Sequence, residues 1–285
     1  ATLRTYARSF AATLDSQVKS NVMMARARNY KSALESSLDQ NAVPVAVYDA
    51  LLKTIHDNLG KTLHRYVALR KRMLGVDKVH YYDLYNPLFA DARRTVSYPE
   101  AIKLVTSALK PLGKEYGKVL AEGLDPAHGW VDVYPNQGKR SGAYANSAFR
   151  NHPIVFLNYM DELDDVFTTA HEYGHAVNFY LTHAAQEYVN ASTPIFLAEI
   201  ASTFNEELLL NHLLTDAKQK DERLALLNKR IENIRTTVFR QALFAEFELA
   251  IHREIEAGGA LTAERLSQIY GDLVKTYYGT DYVLD

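Results

Sequence analysis

From Glu222 to Glu256 the apolar residues Leu224, Leu227, Ile231, Ile234, Val238, Leu243, Phe247 and Ile251 recur mostly at three- and four-residue steps. No proline or glycine interrupts them, so this stretch reads as one long helix that Gly258-Gly259 ends. Few folds accommodate so long a helix without being mainly helical themselves. The same spacing recurs elsewhere. Pro44 to Leu74 places Tyr48, Leu51, Leu52, Ile55, Leu59, Leu63, Tyr66 and Val67 on a helical face, and Gly75 stands where a helix stops. Ser97-Tyr-Pro-Glu100 spells a capping box ahead of Ile102, Leu104, Val105 and Leu109. Thr262 caps a last helix through Leu266, Ile269 and Leu273.

The middle of the chain breaks this pattern. Trp130 to Tyr134 alternates with period two, Ser141 to Phe149 is built of small residues that can lie extended, and Pro153 to Tyr159 is a β-type run. Pro135 to Arg140 is a turn-rich link between the first two. The expected fold is therefore mainly α, a multi-helix domain with a small sheet of two or three strands. The sheet falls just before the segment TTAHEYGHAVN at 168–178.

Composition narrows the chemistry. The chain of 285 residues has no cysteine, which rules out disulfides and thiolate metal sites. A metal would have to be held by histidine and carboxylate. A formal net charge of −2 gives no reason to expect nucleic acid as a partner. No apolar run approaches the ~20 residues of a membrane span. The absence of cysteine suits the cytoplasm. Oligomeric state leaves no mark on the sequence.

Within TTAHEYGHAVN, His171 and His175 are four residues apart and share one face of a helix. The acidic run Asp161 to Asp165 favours a helix start just ahead of them. Two neutral imidazoles so placed can converge on one cation. Glu172 lies about 100° round the helix from His171, off the ligand position but within reach of a water, which is where a general base belongs. A helix can also spell these letters by accident, so a third ligand is the discriminating feature. The candidate is Glu199. It sits in the stretch from Thr193 to Glu207, which reads as a helix with Thr193 as N-cap and Pro194 at its first position. The expected core face of that helix is Ile195, Phe196, Ile200, Phe204 and Leu208. Glu199, Ser202 and Glu206 form a polar stripe on it. A carboxylate buried there would need a cation or a partner, and Glu206 could orient a liganding imidazole through its second nitrogen. His128, His152, His183, His212 and His252 read as ordinary polar or packing residues without a ligand set.

Taken together, these residues resemble the oligoendopeptidase F branch of the thimet-oligopeptidase family of zinc metallopeptidases. The resemblance is carried by YDLYNPL at 82–88, GKRSGAYANS at 138–147, IVFLNYMDELDDVFTTAHEYGHAVN at 154–178 and FLAEIASTFNE at 196–206. It implies a zincin-type helical catalytic domain that cuts short peptides. One zinc ion would be held by His171, His175 and Glu199, with Glu172 as general base. Gly142, Ala143 and Tyr144 would lie near the substrate, as an edge strand pairing with its backbone. Members of the family are roughly twice this length. The expectation is an internal piece of the catalytic domain, residues 1–95 forming a helical lobe and 96–285 the zinc-site region, without the family's N-terminal lobe and C-terminal segment. Such a piece alone would be weak or inactive, because the groups that stabilise the transition state would lie outside it. Two other readings stay open: a metal-binding relative that binds peptides without cutting them, and a helical interaction protein whose motif is accidental.

Overall fold

The computed structural model describes residues 2–89 and 95–284. In chain order its helices are α1 Thr2–Thr5, α2 Ala7–Ala27, α3 Ala33–Asp39, α4 Val45–Asn58, α5 Leu63–Leu74, α6 Tyr98–Ala108, α7 Lys114–Leu124, α8 Leu163–Ala185, α9 Ile195–Asp216, α10 Lys220–Ile234, α11 Arg240–Glu256 and α12 Ala263–Tyr278. The strands are β1 Val131–Asp132, β2 Tyr144–Asn146 and β3 Ile154–Phe156. The mainly helical fold with a small sheet is as expected.

Two compact units divide the chain. One comprises residues 1–88 with 229–285, and the other residues 89–228. The C-terminal helices thus join the N-terminal ones, whereas the sequence division grouped them with the zinc-site region. The sequence boundary near 95 adjoins residues 90–94, which lie outside those described.

In the first unit, Leu52, Ile55, Leu59, Leu63 and Val67 meet Leu243, Val274 and Tyr277 in one core cluster. Val18, Val22 and Ala25 of α2 meet Ile251 and Ile255 of α11 in another. Gly75 closes α5 at φ 68°, in the left-handed conformation that suits glycine. Thr262 caps α12 by accepting the Arg265 amide. The long pattern from Glu222 to Glu256 is not one uniform helix: Arg235–Phe239 forms a π-turn between α10 and α11. The Thr236 hydroxyl lies 2.9 Å from the Glu232 carbonyl and competes for an acceptor the α-helical ladder would use.

In the second unit the sheet has the order β1-β3-β2, with β1 and β3 parallel and β2 and β3 antiparallel. Its register pairs Tyr144 with Phe156 and Asn146 with Ile154. Val155 and Leu157 pack with Val166, Ala170, Tyr173 and Val177 of α8 and with Leu209 and Leu210 of α9. Glu162 and Asp165 build a capping box at the start of α8, so the acidic run supplies the helix start as well as the charge. Ser97 is the N-cap of α6, but its side chain makes no capping hydrogen bond, so the box read there does not form.

The largest departure from the sequence reading lies in α9. Its residues Ile195, Phe196, Ile200 and Phe204, expected in the core, are 77, 61, 61 and 54% exposed. The helix instead buries Ser202 and Asn205 along with Leu209, Leu210 and Leu213. Periodicity identifies an apolar stripe but not which stripe a neighbouring helix covers. Here α8 covers the polar one. The helix also begins one residue later than expected, at Ile195 with Pro194 as N-cap, and Thr193 instead accepts a hydrogen bond from Asn178 at 3.0 Å.

Candidate metal centre

The site is built on the packing of α8 against α9. Gly174 permits it. A Cβ on Gly174 would lie 2.5 Å from Ser202 Cα and 2.7 Å from the Ala201 carbonyl oxygen, inside any tolerable contact. With only hydrogen there, the two backbones approach closely between the two histidines on one side and the two glutamates on the other. Asn205, almost wholly buried, bridges the helices by donating to the Ala170 carbonyl at 2.9 Å and to the Tyr116 hydroxyl at 2.8 Å.

This packing brings together the three residues expected as ligands. His171 Nε2 and His175 Nε2 are 3.3 Å apart, and Glu199 Oε2 lies 3.4 Å from the first and 3.3 Å from the second. An ion with tetrahedral bonds of ~2.0–2.1 Å separates its ligand atoms by about 3.3–3.4 Å. The triangle therefore has the size of one face of such a coordination shell. It is the one set of three or more histidine and carboxylate groups among the described residues arranged to hold a metal ion.

Two of the three, His171 and Glu199, are held from behind. Glu206 Oε1 lies 2.6 Å from His171 Nδ1, which fixes the proton on Nδ1 and leaves the Nε2 lone pair for a cation. Ser202 Oγ, fully buried, is 2.6 Å from Glu199 Oε2. Glu199 itself is 58% exposed, which corrects the expectation of a buried carboxylate. It lies on the open side of the site, next to the exposed apolar residues of α9, so desolvation does not by itself force a partner on it.

Glu172 is the buried charge of the site. Burial pushes its pKa up, opposed by His171 and by the hydrogen bond it accepts from the Ala145 backbone amide. Burial lowers the pKa of His175. At His171 burial acts in the same direction, but the hydrogen bond and charge of Glu206, with the charges of Glu172 and Glu199, outweigh it and the net shift is upward. In this pocket of negative charge a proton and a metal cation compete for the same nitrogen.

Gly142, Ala143 and Tyr144 lead into β2, the edge strand of the sheet. Gly142 has φ 94°, Ala143 is half-buried, and the exposed Tyr144 stacks on Phe156 at 4.8 Å. The other histidines stay apart from the triad: His152 stacks on Trp130 and His183 meets Phe149 and Phe179. His128 and His212 each have one acidic neighbour, Asp125 at 3.9 Å and Asp216 at 3.7 Å. Each is a single pair, without a third ligand. Asn205 and the Ala145 amide escaped the sequence reading, because neither residue type marks a site until the fold places it.

Cavity size does not identify the site. A cavity of about 600 Å³ in the first unit is lined by Leu63, Leu69, Ile231 and Phe239, with no histidine or carboxylate in its wall. Fold and site together define a mainly helical domain with a set of three side chains that could hold one metal ion.

The chain belongs to Peptidase family M3, whose sequence profile matches residues 1–285. It is 46% identical over 280 residues to the oligopeptidase PepF of Bacillus subtilis, covering 98% of this chain and 41% of that protein. It is 43% identical over 274 residues to an oligoendopeptidase F homolog of Lactococcus lactis, covering 96% of this chain and 45% of that protein. Among solved structures, oligoendopeptidase-F from Enterococcus faecium superposes with a TM-score of 0.68 at 36% identity, over 99% of this chain and 42% of that one. The chain spans less than half the length of these relatives.

Proposed function

We propose that the protein carrying this chain is a zinc-dependent endopeptidase that hydrolyses short oligopeptides, with Glu172 as general base. The observation that carries this reading is the triangle of His171 Nε2, His175 Nε2 and Glu199 Oε2, with sides of 3.3 to 3.4 Å. These three residues would hold the ion. Two imidazoles and one carboxylate are a zinc donor set that leaves a position open for chemistry. When bound, zinc supplies Lewis-acid polarisation of the scissile carbonyl and makes water a nucleophile near neutral pH.

The chain's own residues do the rest. Glu172 takes a proton from the attacking water and returns it to the leaving amine. Its burial favours the protonated form that this second step needs, and the Ala145 amide orients its carboxylate. Glu206 keeps His171 in the liganding tautomer. Ala145 thus directs its amide away from β3, and by the two-residue period of a strand Ala143 presents its backbone on the same free edge. An extended peptide could pair there, beside the base. The relatives are an oligopeptidase and an oligoendopeptidase by name, which supports short peptides as substrates. The absence of cysteine supports the cytoplasm as the place of action.

The test uses the intact protein, wild type beside Glu172→Gln, assayed for zinc content and for cleavage of a fluorogenic peptide. About one zinc per chain in both, with hydrolysis slowed about 10²–10⁴-fold in the variant, is expected. Equal activity in the two would remove Glu172 from the role, and no zinc in either would end the zinc reading.

A further inference from the structure

The edge strand β2 is short. Its backbone ladder to β3 runs only from Asn146↔Ile154 to Tyr144↔Phe156. One step further, the antiparallel register would pair Gly142 with Asn158. At that position a side chain replaces the ladder. The Asn158 amide nitrogen donates to the Gly142 carbonyl at 2.8 Å and to the Arg140 carbonyl at 2.9 Å. Both protons of one NH₂ group are thereby spent on holding one loop.

The start of the loop is held by a second device. The Lys139 side chain is 3% exposed, an unusual state for a lysine. Its ammonium lies 3.0 Å from an Asp132 carboxylate oxygen, donates to the Tyr134 carbonyl at 2.8 Å, and sits over the Phe156 ring 4.6 Å from its centroid. The other partner of Phe156 is Tyr144, whose ring is nearly parallel to it. Lys139, Phe156 and Tyr144 therefore form one continuous stack from the loop to the edge strand. Between the two devices Gly142 turns the chain at φ 94°, a conformation that L side chains rarely adopt.

The loop held in this way is one wall of a cleft of about 490 Å³. Ser141, Gly142, Ala143, Asn158 and Lys139 line it, and so does Thr168, one helical turn before His171. The residues after the loop reach Glu172 through the Ala145 amide. Any slack in the 139–142 segment would pass directly to the strand that meets the base.

We infer that Asn158 and Lys139 are positioning residues for peptide binding: they lock the 139–142 loop so that the Ala143 to Ala145 edge meets an extended peptide at the level of Glu172. This rests on the peptidase reading above. Neither side chain needs to touch the peptide. A clamp on a buried lysine combined with a double-donor amide suits an edge that must present fixed backbone groups to a flexible ligand.

The experiment measures both hydrolysis and binding in the intact protein. Asn158→Asp keeps the shape but replaces both donors with an acceptor, and Lys139→Met keeps the stem without the charge. For each, KM for a fluorogenic peptide is expected to rise about tenfold, with kcat within about twofold and zinc content unchanged. The same peptide, titrated into Glu172→Gln with and without Asn158→Asp, should lose affinity by a similar factor. Lys139→Arg should recover most of the loss. Amide hydrogen exchange over 143–146 should speed up in the variants. Unchanged KM and unchanged affinity would overturn the inference, as would a fall in kcat accompanied by loss of zinc. If the wild type cleaves nothing, the peptidase reading fails, and the binding titration alone decides the positioning role.

Discussion

Each unit of the molecule contains a cluster of charged side chains, and the two clusters are built on opposite principles. In the first unit, the buried Arg70 gives one guanidinium nitrogen to Glu232 and the Tyr66 hydroxyl, and the other to the carbonyls of Asp83 and Asn86 at 2.6 Å each. Arg235 binds the same Glu232 carboxylate through two nitrogens, at 2.9 and 2.7 Å. Cations there meet anions and carbonyls at hydrogen-bond distance. In the second unit, two imidazole nitrogens and a carboxylate oxygen converge at ligand spacing, and more carboxylates stand behind them. In one cluster two arginines share a carboxylate and spend their remaining donors on a hydroxyl and backbone carbonyls. The other is an excess of acceptors that a cation would complete. Charge clusters as such therefore do not mark a site, whereas lone pairs converging at ligand spacing mark a candidate.

The sharpest way to break this contrast is to remove a ligand. His175→Ala should leave the intact protein without stably bound zinc and without measurable peptide hydrolysis, read by metal analysis and the fluorogenic assay. Retention of both would make the triangle a coincidence of packing. The opposite manipulation, Arg70→Ala, should leave the metal content of the folded protein unchanged while costing about 3 kcal/mol of stability, because two carbonyls and part of Glu232 lose their donor. Denaturant titration reads that loss, and a drop in zinc instead would mean that the two clusters are coupled. Gly174→Ala should cost on the order of 1–3 kcal/mol, since its methyl group meets the backbone of α9. It should also weaken zinc binding, because α9 carries Glu199. Full stability and full metal binding in that variant would show that the helices can separate without harm. The smallest expected effect is that of Glu206→Gln. Loss of the charged partner of His171 Nδ1 should reduce zinc affinity about 10- to 100-fold, measured by competition with a chelator, with little change in stability.

Much of this arrangement was legible in the residues. The helical periods, Gly75 and Thr262 as helix boundaries, and the acidic start of α8 are local effects, and local patterns report them. The four-residue spacing of His171 and His175 belongs to the same class, since one helix turn suffices to bring them together. Glu199 was a harder inference, because it needed a second helix. Of its polar stripe, Ser202 is buried against α8, whereas Glu199 itself stays 58% exposed. Of the apolar stripe, Ile195, Phe196, Ile200 and Phe204 face solvent, and Leu208 packs against the core.

Residue spacing alone predicts a mainly helical chain with a small sheet, a pair of histidines on one helix face, and a glutamate beside them. These depend on spacing along a single element, where backbone geometry converts sequence directly into position. Only the tertiary structure decided which face of α9 meets α8, that Gly174 allows the approach, that the C-terminal helices fold with the N-terminal ones, and that Lys139 and Asn158 hold the loop before β2. Each of these depends on contacts between separate elements rather than on spacing within one. Periodicity supplies the candidate faces, and packing and hydrogen bonding select among them.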